Sequence, residues 1–149
     1  MTPFIHITSA KFSILPGEAE QIINEGTYGK ALAEHLTVRL RDLGYRSPFF
    51  CPEDWGWWVE LAGYPFTFGV CIYGRVCADG SLEHYLSDGA RPARRWSWRR
   101  LRFVDTGAGD AAAALHSDLV AIFRADPDVH VLAIDLDSMA SDEVPTPPV

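Results

Sequence analysis

The stretch Trp55–Tyr73, WGWWVELAGYPFTFGVCIY, carries two runs of alternating side chains around a turn. In the first, Trp55, Trp57, Val59 and Leu61 alternate with Gly56, Trp58, Glu60 and Ala62. In the second, Phe66, Phe68, Val70 and Ile72 alternate with Thr67, Gly69, Cys71 and Tyr73. Successive side chains of a strand point to opposite faces, so the pattern predicts two half-buried antiparallel strands, 55–62 and 66–73, turning at Gly63-Tyr64-Pro65. Trp57 and Trp58 must then face opposite ways, one under a helix and the other on the second face of the sheet.

Working outward, residues 4–15 read as a strand, with Phe4, His6 and Thr8 on one parity and Ile5 and Ile7 on the other, ended by Pro16-Gly17. Glu18 to Gly26 reads as an acidic connection. Tyr28, Leu32, Leu36, Leu40 and Leu43 recur at helical spacing, predicting a helix capped by Thr27 and stopped by Gly44. Beyond the hairpin come turn signals at Asp79-Gly80 and Asp88-Gly89, with a short strand at 82–86. Residues 94–104 predict one Arg/Trp-rich strand with a bulge near Arg99-Arg100. Ala111, Ala112, Leu115, Leu119, Ile122 and Phe123 form the stripe of a second helix, capped by Asp110. Residues 129–136 are apolar at most positions and predict a central strand.

The order is β-α-β-β-(β)-α-β. It predicts an α+β fold with two amphipathic helices on one face of a mainly antiparallel sheet, ferredoxin-like with an inserted Arg/Trp-rich strand. Residues 1–136 are read as one domain. Residues 137–149, with Asp137, Asp142, Glu143 and three prolines, are read as an acidic, disordered tail.

Composition narrows the classes of function. The chain has 149 residues, enough for one full core. Its longest mostly apolar stretch, 111–123, is broken by His116, Ser117 and Asp118, which argues against a membrane span. The start, MTPFIHITSA, lacks the pattern of a signal peptide. Cys51, Cys71 and Cys77 are odd in number and without CxxC spacing, so neither a disulfide framework nor a metal site is expected. The expected setting is a reducing cytoplasm. The net charge is −7, yet residues 91–103 carry +6, which leaves −13 elsewhere. Such asymmetry marks either a binding surface or a basic segment paired with the protein's own acids.

Three constellations can carry chemistry. Glu53-Asp54 precede the tryptophans; carboxylates beside aromatic walls can hold a cation or act in acid–base catalysis, and they can equally begin a strand whose aromatics fill the core. With His84, beside Glu83 on an expected surface loop, they are the only candidate catalytic residues, and no coherent catalytic set or cofactor emerges. The second constellation is Arg91, Arg94, Arg95, Trp96, Trp98, Arg99, Arg100 and Arg102. Interleaved arginine and tryptophan can dock an acidic protein, stack nucleic-acid bases or pair internally. With Trp57 and Trp58 these form the candidate binding residues. Third, Gly107-Ala108-Gly109-Asp110-Ala111-Ala112 imitates a dinucleotide fingerprint, but Asp110 places a negative charge where a pyrophosphate would sit, so a glycine turn with an aspartate cap is expected.

The segments KFSILPGEAEQIINEGTYGKALAEHL, CPEDWGWWVEL and FGVCIYG resemble a family of small bacterial proteins with an EDWGW core and a YGK helix start. The resemblance covers residues 11–74 and implies a bacterial α+β domain; it carries no catalytic residue. The sequence reading is therefore a protein-binding module, immunity-like or a regulatory adaptor, monomeric or homodimeric. Its rivals are a small enzyme or ligand-binding domain built on Glu53 and Asp54, and a single-stranded nucleic-acid binder.

Overall fold

A computed structural model describes residues 3–46, 49–90, 94–97 and 99–139, without the side chains of 94–97 and 103–105. Eight strands and two α-helices follow in order: β1 Phe4–Thr8, α1 Lys30–Asp42, β2 Phe50–Glu53, β3 Gly56–Glu60, β4 Gly69–Val76, β5 Leu82–Asp88, β6 Arg94–Ser97, β7 Arg102–Asp105, α2 Ala108–Ala125 and β8 His130–Leu136. Six strands form one antiparallel sheet in the order β2-β3-β4-β5-β1-β8, and among the described residues β6 pairs only with β7. The fold is α+β.

The alternation at 55–73 becomes β3 and β4, with Trp57 opposite Ile72 and Val59 opposite Val70. Those side chains share a face with Ile5, Ile7 and Leu86, and all join Leu32, Leu36 and Leu40 of α1 and Leu115, Leu119 and Phe123 of α2 in one core cluster. Both helices therefore cover one face of the sheet. Glycines permit this close approach: a β-carbon on Gly74 would stand 1.9 Å from the Tyr28 carbonyl oxygen, and one on Gly29 would meet Ile72 at 2.9 Å. The chain entering α1 thus crosses directly over β4.

Several expectations are corrected. The first strand ends at Thr8, because the chain turns at Ser9, whose hydroxyl donates to the Asp128 carbonyl at 2.6 Å, and Phe12 folds back into the core. Thr27 does not cap α1. Gly29 is the N-cap, and the capping acceptor is Glu18, from a single 3-10 turn (Glu18–Glu20) within the segment read as a plain connection. The turn between β3 and β4 spans 61–68, closed by the Leu61 N–H donating to Phe68. The 82–86 strand runs on to Asp88.

The Arg/Trp segment is not one bulged strand inserted in the sheet but two strands, β6 and β7, reversing near Leu101 at φ 49°. The second helix starts at Ala108 behind Gly107, and Asp110 lies within its first turn rather than capping it. The last strand is an edge, not central: Val131 and Ile134 pack on the core, while Leu132 is 53% exposed. On the other edge, β2 contains Pro52, a residue that edge strands tolerate because its missing N–H need not face a neighbour. Of the tail, residues 140–149 lie outside those described.

Candidate functional site

Register places one set of side chains on the face that the helices leave open. Glu53 of β2, Trp58 of β3, Cys71 and Tyr73 of β4, Ser87 of β5 and Phe4 of β1 share that parity. Together with Trp55, Thr67, Asp88 and Gly89 they line a cleft of about 550 Å³.

Its walls are aromatic. The two-residue turn Asp54-Trp55 brings the Trp55 indole 5.2 Å from the Tyr73 ring, and Phe4 meets Tyr73 edge-on at 5.9 Å. Trp58 lies across two glycines. A β-carbon on Gly69 would come within 2.6 Å of the indole, and one on Gly89 within 2.3 Å. Further along the face, His6 stacks on Tyr85 at 4.2 Å, and its Nε2 lies 3.0 Å from Glu83 Oε2.

Among the described residues, the charged groups that line the cleft are acidic. Glu53 is half-buried and its Oε1 accepts the Cys51 thiol at 3.6 Å. Burial pushes that thiol above its usual range, and the carboxylates of Glu53 and Glu60 push it the same way. Asp88 Oδ1 accepts the Ala90 N–H at 3.1 Å. Neither Glu53 nor Asp88 is paired with a cationic side chain among the described residues. Asp54 is exposed in the turn and stands outside the lining, its carbonyl taking the Asn24 amide at 2.6 Å.

The structure separates the other candidates. Trp57 is 1% exposed beneath α1, so it belongs to the core and cannot meet a ligand or partner. His84 is not on a surface loop: it lies in β5 on the core face, fully buried, across the sheet from Glu53. The two cannot work on one substrate. Arg99, Arg100 and Arg102 are exposed around the β6–β7 reversal, beside Leu101 at 71% exposure. Arg91 and Trp98, and the side chains of Arg94, Arg95 and Trp96, lie outside what the structure describes.

Sequence reasoning missed most of the cleft. Cys71, Tyr73, Ser87 and Asp88 were visible only as strand and turn residues. The available signal was the glycine pair, since Gly69 and Gly89 make room for a large ring. Among the described residues no cluster of three or more His, Cys, Asp or Glu could hold a metal ion, and no helix is long and apolar enough to cross a membrane. No protein-family model, curated protein or solved structure matches the chain.

Proposed function

We propose that this protein is a binding module rather than an enzyme, and that it holds a small molecule in the cleft on the open face of its sheet. The carrying observation is that Glu53 shares with Trp55, Trp58, Tyr73 and Phe4 the lining of one open cleft of ligand size. Pockets of a few hundred cubic ångströms, mostly aromatic with a few polar groups, are the usual form of such sites. The Cys51 thiol beside Glu53 is held above its usual pKa and so is not activated, and His84 is on the other face of the sheet. The strand order β4-β5-β1-β8 under two helices supports a ferredoxin-like core extended by β2 and β3. The resemblance to small EDWGW proteins supports a bacterial source, and the three free cysteines support a reducing cytoplasm.

The test is a ligand-observed NMR fragment screen on the wild-type chain and on two cleft-filling variants, Ser87→Phe and Thr67→Trp. Both positions lie on the open face, away from the core. Fragments that bind wild type and are lost in both variants, at unchanged melting temperature, support the reading. Binding that survives both variants, or no binding, overturns it.

A second reading keeps one observation of its own. The β6–β7 hairpin stands apart from the main sheet and exposes Arg99, Arg100, Leu101 and Arg102, which suits docking to an acidic protein partner.

A further inference from the structure

We infer that the cleft selects small organic cations, such as alkylammonium or guanidinium compounds; this rests on the small-molecule reading above. Every charged group among the described lining residues is a carboxylate: Glu53, on the open face, and Asp88 at the rim, whose register opposite Val70 gives it the parity of the helix-covered face. Neither has a basic neighbour to neutralise it among the described residues. Two more acids, Asp54 in the adjoining turn and Glu60 on the same face, add to the negative potential. Phe4, Trp55, Trp58 and Tyr73 supply aromatic walls, and ring faces carry the negative end of their quadrupole, so Trp55, Trp58 and Tyr73 attract a cation that Glu53 also attracts. An anion would meet repulsion from both. A neutral ligand would leave Glu53 without counter-charge while it displaced its water.

Arg75 is the arginine that the described strands place on this face. It lies two residues beyond Tyr73 on β4, in register with Glu83 of β5, and is not part of the lining. The Ser87 and Thr67 hydroxyls offer further acceptors for an N–H donor.

The experiment titrates tryptophan emission at fixed ionic strength with choline and methylguanidinium, each against its uncharged isostere, 3,3-dimethyl-1-butanol and methylurea. The expected result is that each cation binds about tenfold or more tightly than its isostere. Glu53→Gln, which keeps shape and acceptor oxygen, should erode that preference severalfold, and Asp88→Asn at the rim should erode it less. Equal affinity for cation and isostere overturns the inference while the cleft remains a ligand site. Silence from both cations overturns it too. If the fragment screen still finds cleft binders, the small-molecule reading survives; if it does not, both fall.

Discussion

The carboxylate of Glu18 accepts hydrogen bonds from the backbone N–H groups of Gly29, at 3.4 Å, and Lys30, at 3.2 Å, and so closes the start of α1 from twelve residues upstream. The side chain is fully buried. Burial raises its pKa above the usual carboxylate value, against the pull of those N–H groups. Removing the acceptor leaves helix donors unpaired in a dry site. Glu18→Ala should cost about 1–3 kcal/mol in urea unfolding. Glu18→Gln keeps an acceptor and sheds the buried charge, so it should cost much less than Glu18→Ala. Equal losses would show that packing, not the cap, is what Glu18 supplies.

His84 is buried with neither ring nitrogen hydrogen-bonded, between Ile7 on one neighbouring strand and Gly74 on the other. Burial lowers its pKa from 6.5 to about 4. The folded state thus holds the ring neutral, and protonation favours the unfolded chain. Stability from this site is complete above pH 6.5 and drains away as pH falls towards 4, by about 3 kcal/mol in total. His84→Leu should be more stable than wild type at every pH, because an apolar group replaces an unsatisfied polar one. The gap between the two should widen between pH 6.5 and 4. Parallel urea curves over that range measure it, and a constant gap would count against a desolvated imidazole.

The hairpin at 55–73 could be read because its side chains alternate strictly, and the opposition of Trp57 and Trp58 follows from that alternation alone. The cap by Glu18 could not be read. Its partners are main-chain groups, and no pattern of side chains marks where a loop folds back on a helix. The last strand misled for a related reason. Val131, Leu132, Ala133 and Ile134 are all apolar, yet one face is left partly bare at the sheet edge, and composition does not say which strand has a neighbour. Three of the ten lining residues, Glu53, Trp55 and Trp58, lay in the conspicuous EDWGWW run. Most of the others come from β1, β4 and β5, whose register only the fold supplies.

Trp58 rests on Gly69 and Gly89 as on a seat, which makes its position adjustable by one methyl group. At Gly89 the first obstacles to a β-carbon are the indole carbons, at 2.3 and 2.7 Å. Gly89→Ala should therefore tilt Trp58 and change its emission maximum with little loss of stability. Gly69→Ala also drives a β-carbon to 2.3 Å from the Val59 carbonyl oxygen, which is backbone and cannot swing away. It should cost more than about 1 kcal/mol, as close backbone approaches do. The ordering of the two variants in thermal melts checks the argument.

Tyr45, just past the end of α1, donates its hydroxyl to Asp118 Oδ2 of α2 at 2.5 Å. Burial, then the Asp118 carboxylate, raises the phenol pKa well beyond its usual value. The bond joins the two helices at the outer layer, where no strand connects them. Tyr45→Phe and Asp118→Asn should each cost about 1 kcal/mol, and the double variant should cost less than the sum. Strict additivity in the cycle would show that the two groups do not sense each other.

The hairpin β6–β7 gives the sharpest separation of stability from recognition. Arg99 and Arg102 are exposed, and among the described residues β6 pairs only with β7, so the main core should not depend on their charge. Arg99→Glu with Arg102→Glu should leave the melting temperature within about 2 °C of wild type, the range expected for surface changes in a domain of this size. If the arm docks an acidic partner, the same pair should abolish capture of that partner, and capture by the wild type should weaken steeply with added salt. A large drop in melting temperature would instead mean that the arginines are tied to the protein's own carboxylates. The −13 carried outside residues 91–103 would then be the counter-charge that holds the arm down.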